Sequence, residues 1–204
     1  MLAQMETVSF LRMSLRIHVL QHTDTSLPGN VLEWLKTKGH ASTIVRMHKG
    51  DALPTVDETD WLIVMGGSMN VDDVEAHPWL LEEKKLLKAA IAAKKTCFGI
   101  CLGGQLLAQT LGATVQKHEH WEVGWHTVTF GAGAEGRLMV FQWHQDTFGL
   151  PEGECAEDKE WPEGPHVQTP AQLLEGIIFL TPLKKWLFEL LNKLETITVQ
   201  KAKA

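Results

Sequence analysis

Thr96-Cys97-Phe98-Gly99-Ile100-Cys101-Leu102-Gly103-Gly104-Gln105-Leu106-Leu107-Ala108 reads as a strand, a sharp turn and a helix in direct succession. An apolar, β-prone run ends at Gly99. Cys101 follows, then two glycines, then a Leu-, Gln- and Ala-rich stretch with helical character. One thiol therefore sits at the apex of the turn. The pattern is the cysteine counterpart of the G-x-S-x-G nucleophile elbow. Its glycines permit a strained turn and close strand–helix packing. The apex also sets sulfur at a helix N-terminus, where backbone N–H groups and the helix dipole favour thiolate over thiol. A lone cysteine is more often a small buried core residue. The glycine-flanked apex is what points to a nucleophile instead.

Upstream, Trp61-Leu62-Ile63-Val64-Met65 is a continuous apolar run, as in a parallel strand buried on both faces, and Gly66-Gly67-Ser68 breaks it. Leu15–Leu20 and Ser42–Arg46 read as two further strands. Pro28-Gly29-Asn30 opens a helix over Val31–Lys38 that Gly39 ends. Asp51–Asp60, with Pro54, reads as a loop. Leu80–Ala93 is predicted helical, with Glu82, Glu83, Lys84, Lys85 and Lys88 largely off its apolar face. Thr96–Ile100 is the strand before the elbow and Leu102–Leu111 the helix after it, closed by Gly112. The β–α alternation predicts an α/β fold with a mostly parallel, flavodoxin-like sheet flanked by helices.

Downstream the pattern changes. Thr114–Lys117, Val123–Phe130 and Leu138–Trp143 are short runs that suggest a small mixed or antiparallel extension. Glu152–Pro170 is rich in proline and acid, without apolar periodicity. In Leu183–Leu194, residues Trp186, Leu187, Leu190, Leu191 and Leu194 share a helical face. The expected organisation is an N-terminal tail over 1–12, one domain over 13–195 with an atypical stretch at 155–181, and a frayed tail over 196–204.

A chain of 204 residues with 44% apolar content is long enough for one sizeable core. Its formal net charge of -6 argues against nucleic acid or an anionic membrane as the main partner. The three cysteines, Cys97, Cys101 and Cys155, are odd in number, and Cys97 and Cys101 do not form a C-x-x-C pair. A reducing, cytoplasmic setting fits best. His118-Glu119-His120 has the look of a metal cluster but lacks a clear third ligand, so a solvated loop is the reading and no metal is expected. No apolar run reaches the roughly 18–20 residues of a membrane span. Met1–Arg12 holds Glu6 and no long apolar stretch, so no signal peptide is expected.

With these residues in place, the chain resembles the class I glutamine amidotransferases, and more closely their stand-alone, amidotransferase-like members. Gly99-Ile100-Cys101-Leu102-Gly103-Gly104-Gln105 matches the family's nucleophile motif. Trp61–Val71, Glu122-Val123-Gly124-Trp125 and Trp143-His144-Gln145-Asp146-Thr147-Phe148 resemble three further blocks. The likeness covers about residues 15 to 153. It implies hydrolysis of the glutamine side-chain amide, or of a related γ-glutamyl bond, through a thioester on Cys101. The backbone N–H groups of Leu102 and Gly67 are the expected oxyanion donors. Gln105, one helical turn beyond Cys101, either contacts the substrate's polar end or is a helix-surface amide. His144 is assigned to substrate or partner contacts. No cofactor is implied. The partners implied are the small-molecule substrate and an ammonia-accepting synthase subunit, since no synthase domain is fused; ammonia would otherwise pass to water.

The family's late strand with its His-x-Glu pair, the source of the general base, is not recognisable. The nearest remnant is His166-Val167-Gln168, with Gln168 where the family has Glu. Glutamine can orient an imidazole but supplies no charge to stabilise imidazolium. Three explanations stay open: an intact enzyme with a rearranged base such as His166, a degenerate protein that binds without turnover, or an altered reading frame between about Cys155 and Thr181. Two other classes compete with the enzyme. One is a binding or regulatory protein on the same scaffold. The other is a cysteine hydrolase or chaperone-like protein of related families, which the Gly-x-Cys-x-Gly-x-Gln form disfavours.

Overall fold

The computed structural model describes residues 14–129, 137–149 and 180–201. Four parallel strands, β1 (Arg16–Gln21), β2 (Ala41–Arg46), β3 (Trp61–Val64) and β4 (Thr96–Gly99), form one sheet in the order β2-β1-β3-β4. Helices α1 (Gly29–Lys38), α2 (Trp79–Ala92) and α3 (Leu102–Thr110) alternate with them. The last described helix, α4, spans Leu180–Lys201. This is the flavodoxin-like α/β architecture that the β–α alternation predicts.

β3 lies inside the sheet, and all four of its side chains are fully buried, because both faces of the sheet are covered. Successive strand residues point to opposite faces. Leu62 and Val64 meet α2 and α3 through Leu80, Leu87, Leu102 and Leu106. Trp61 and Ile63 meet α1 and α4 through Val31, Trp34, Leu35 and Leu191 on the other side. The helices' apolar stripes decide which of them covers which face.

Two sequence expectations need correction. The tail expected to fray from residue 196 is helical through Lys201. Its anchors are tertiary and cannot be read from local propensity. Trp61 donates its indole N–H to Thr198 Oγ1 at 2.9 Å, Thr96 and Thr198 hydroxyls meet at 2.8 Å, and Lys38 reaches Glu195 at 2.6 Å. The three short runs after α3 are instead two long antiparallel strands, β5 (Val115–Thr129) and β6 (Arg137–Phe148), in a separate two-stranded sheet. The polar segment His118–Trp121 has little strand propensity of its own. It falls inside the register shift between Lys117 and Glu122, where the ladder skips it and pairing resumes on either side, at Lys117 with Asp146 and Glu122 with His144. Among the described residues, no helix is long and apolar enough to cross a membrane.

Candidate active site

The elbow is tight because three backbones come into contact there. Cys101 adopts φ 54, ψ -116, a region that non-glycine residues rarely enter, at a cost on the order of 1–3 kcal/mol. Ile100 N–H donates to Val64 carbonyl at 2.9 Å, tying the exit of β4 to the end of β3. A Cβ on Gly103 would lie 2.1 Å from the Val64 carbonyl oxygen, and one on Gly99 would lie 2.5 Å from Gly103 carbonyl carbon. Only glycine lets the first turn of α3 rest on the strand ends. The Gly66-Gly67 turn after β3 passes beside the same cysteine: a Cβ on Gly66 would touch Cys101 Cβ at 3.4 Å.

Cys101 is exposed, while Leu102 beneath it is buried. The backbones of Leu102 and Gly67 both act to stabilise negative charge on the Cys101 sulfur. The two groups named from the sequence as donors thus lie at the turns that border the cysteine, one after β3 and one after β4. The charge state of the thiol is a correction. A thiolate favoured by the helix N-terminus was the expectation, yet the Cys101 thiol is held above its ordinary range. Loss of solvent polarisation over the dense strand ends is the largest cause, and the Asp146 carboxylate adds to it; the Leu102 and Gly67 amides pull the other way without prevailing. None of these groups, among the described residues, is an imidazole. Cys97, facing the core behind the elbow, is pushed up to about 11 by burial.

The hairpin closes over the elbow helix. Phe148 lies so near Gly104 that a Cβ there would meet its ring at 3.8 Å. Gln105 is only 6% exposed, which removes the helix-surface reading, and its amide donates to the Asp146 carbonyl at 3.3 Å. Asn70, in the loop after β3, donates to the Asp146 carboxylate at 2.6 Å. Asp146 is thus held from both sides, by α3 through its backbone and by the loop after β3 through its carboxylate. His144 is engaged within the hairpin: Nε2 meets Glu122 at 3.1 Å and Gln142 at 3.1 Å, and Nδ1 meets the Asp146 carbonyl at 3.2 Å. A shallow depression lined by His118, His120, Glu122, His144 and Thr147 lies on the hairpin and does not include Cys101. Among the described residues, no group of three or more His, Cys, Asp or Glu is placed to hold a metal ion. His166 lies outside the described residues.

Sequence reasoning missed two features near the elbow. Asp146 sits inside a segment already singled out, but nothing in the segment alone says that its charge bears on the sulfur. His22 and Glu83 form a fully buried pair, Nε2 to Oε1 at 3.0 Å, behind the Gly66-Gly67 turn. The signal for the pair was faint. His22 directly follows β1, and Glu83 was read as part of a solvated charged face of α2.

A parallel sheet with a cysteine at a strained strand–helix elbow, bordered by the glycine turn of the neighbouring strand, is the arrangement on which comparison with known proteins bears. A family model described as glutamine amidotransferase class-I matches residues 21–158, and the chain belongs to that family. It is 32% identical to the glutamine amidotransferase-like protein YfeJ of Salmonella typhimurium, over 67% of this chain and 62% of YfeJ. A second relative, the glutamine amidotransferase-like protein L716 of Acanthamoeba polyphaga mimivirus, is 36% identical over 37% of each chain. Among solved structures, a glutamine amidotransferase from Thermotoga maritima superposes with a TM-score of 0.65 at 30% identity, over 69% of this chain and 64% of that one. One from Methylobacillus flagellatus gives 0.63 at 29% identity, over 69% and 59%. The chain therefore spans less than two thirds of the length of each of these relatives.

Proposed function

We propose that this protein hydrolyses the side-chain amide of glutamine, or a related γ-glutamyl bond, through a thioester on Cys101. The observation that carries the reading is the strained Cys101 elbow with the Gly66-Gly67 turn packed against it, where a Cβ on Gly66 would lie 3.9 Å from the Cys101 sulfur. Backbone N–H groups of the two turns, those of Gly67 and Leu102, are our candidates to receive the oxyanion that develops on the carbon that sulfur attacks. Cys101 Sγ, once deprotonated, adds to the amide carbon. The carbonyl oxygen takes the negative charge against the two amides, the C–N bond then breaks, and the leaving nitrogen takes a proton and departs as ammonia. Water cleaves the thioester, releasing the γ-carboxylate and restoring the thiol. Ammonia passes to a separate synthase subunit or to water, in a cytoplasmic setting.

Because the thiol is held above its ordinary range, the step needs a base to remove its proton. His166 is our candidate for that base. Gln105 and His144 border the site through Asp146 and are proposed to shape the pocket for the substrate's polar end. The same raised thiol favours a second reading, in which the protein binds glutamine without turning it over.

The test is site-resolved labelling with a diazoketone analogue of glutamine, alongside glutamate release from glutamine. Labelling is expected at Cys101 and not at Cys97, whose thiolate fraction at pH 8 is on the order of 10⁻³ given its value of about 11. Cys101→Ala should eliminate both label and turnover with the fold unchanged. Loss of turnover in His166→Ala supports the base assignment; normal turnover in that variant removes it. Protection of Cys101 by glutamine without any turnover would select the second reading. Equal labelling of Cys97 and Cys101 in the folded protein would overturn both.

A further inference from the structure

The Gly67 amide belongs to the peptide unit that it shares with the Gly66 carbonyl. The peptide is trans, so its C=O and N–H point in opposite directions. On one side the turn lies against Cys101, a Cβ on Gly66 falling 3.9 Å from its sulfur, and the Gly67 backbone favours negative charge on that sulfur. On the other, the Gly66 carbonyl oxygen lies 3.1 Å from His22 Nδ1. The opposite nitrogen of that ring, Nε2, lies 3.0 and 3.2 Å from the two Glu83 carboxylate oxygens. Both side chains are completely buried. The Trp79 ring stacks on the imidazole with centroids 5.5 Å apart and planes 16° apart. His22 Cβ also lies where a Cβ on Gly67 would approach it at 3.1 Å, so the ring is packed against the turn it holds.

The chemistry of this chain of contacts runs one way. A carboxylate accepts only, so Nε2 must carry a proton toward Glu83. A carbonyl accepts only, so Nδ1 must carry a proton toward Gly66. With Glu83 as a carboxylate both ring nitrogens donate, and the pair is imidazolium with carboxylate. Its environment agrees: desolvation pulls the imidazole down, but the Glu83 hydrogen bond and charge, with the Gly66 and Met65 carbonyls, outweigh it and hold the ring above its ordinary range. A glycine pair has the greatest backbone freedom in the chain, and a free Gly66-Gly67 peptide could turn its N–H away from the sulfur.

We propose that His22 and Glu83 are positioning residues, a buried ion pair that grips the Gly66 carbonyl and so keeps the Gly67 N–H turned toward Cys101. The catalytic meaning of that orientation rests on the thioester reading above; the orientation itself does not. Leu102, the second donor, is set by α3 and is independent of the pair. One of the two donors is therefore built into the helix, and the other is held from behind.

The experiment uses the full chain in two variants: Glu83→Gln, which keeps the shape and removes the charge, and the double replacement His22→Phe with Glu83→Leu, which leaves no buried charge unpaired and so protects the fold. Backbone amide spectra and hydrogen exchange of Gly67 and Leu102 are recorded in each. We expect Gly67 to shift and to lose protection by about tenfold or more in the double variant, with Leu102 within about twofold. Glu83→Gln should move Gly67 in the same direction and less. An unmoved Gly67, or equal loss at both amides, overturns the proposal. Labelling gives the second readout. Reaction of Cys101 with the diazoketone should fall by about tenfold or more in the double variant, while alkylation by iodoacetamide, which forms no oxyanion, stays within about twofold. If both reagents slow together, the pair acts on sulfur and not on the donor, and the proposal fails. If the wild-type chain ignores the diazoketone while Gly67 still responds to the variants, the thioester reading fails and the positioning role stands.

Discussion

Two histidine–glutamate pairs flank the elbow, and they are held on opposite terms. His22 and Glu83 have no solvent exposure at all and join the end of β1 to α2 through the heart of the parallel-sheet region. His144 and Glu122 face each other across β5 and β6, with side chains 24% and 13% exposed. The first pair has no solvent to turn to, so the charge of each partner is balanced by the other. The second has solvent and Gln142 to fall back on. The same two residue types are thus essential architecture in one place and an ordinary cross-strand contact in the other.

Truncating one partner of each pair measures the difference directly, and it is the largest effect we expect. Glu83→Ala leaves a buried imidazole facing an empty acceptor site and should cost about 3–5 kcal/mol in chemical denaturation. Glu122→Ala should cost about 1 kcal/mol or less. Equal losses would mean that burial is not what separates the pairs.

Next in size is a change that adds one methyl group where backbones touch. Gly103→Ala sets a Cβ 2.1 Å from a carbonyl oxygen that cannot step aside without moving β3. The expected loss is at or above the top of the usual range of about 1–3 kcal/mol for overpacking. Gly104→Ala, whose Cβ would meet nothing nearer than 3.8 Å, is the control and should change stability by about 0.5 kcal/mol or less. If the two alanine variants melt together, the close approach of α3 to the strand end is wrong.

The legibility of the molecule follows the same division. The parallel sheet could be read because each of its elements announces itself locally. Trp61–Val64 is apolar on both faces, Gly39 follows the first helix, and the glycines of the elbow mark where backbones must meet. Cys101, Gly67 and Leu102 could be placed at these turns from sequence because turns have local signatures. Asp146, His22 and Glu83 could not, since their roles exist only through partners far along the chain. Glu83 is the instructive failure. Helical periodicity put it among charged neighbours, and it is buried against a histidine that directly follows β1. The hairpin failed for a related reason: His118–Trp121 lies in the register shift, and what joins the runs on either side of it is pairing with distant β6.

The electrostatic link between hairpin and elbow should give a smaller effect. The Asp146 carboxylate opposes ionisation of Cys101. Asp146→Asn removes that charge and keeps an oxygen to accept from Asn70. The thiol then ionises at lower pH, so iodoacetamide alkylation at neutral pH should quicken several-fold, with the rate–pH curve displaced toward acid. A rate that is unchanged or slower would separate the hairpin from the sulfur.

The smallest effect belongs to the outer face of the hairpin, where Trp143 is 67% exposed and neighbours the exposed Phe141, ring centroids 6.3 Å apart. Most of the indole remains in water after folding, so the hydrophobic effect gains little from it, whatever its size. Threonine suits a strand position at least as well, because its branched Cβ fits the pleated surface. Trp143→Thr should therefore shift stability by about 0.5 kcal/mol or less. The pairing of β5 and β6 around Val123 would be untouched, since backbone ladder bonds and not this side chain hold the register. A loss above about 1 kcal/mol would show that the indole is buried in solution, and the contrast between a packed elbow and an open hairpin face would fail at its outermost point.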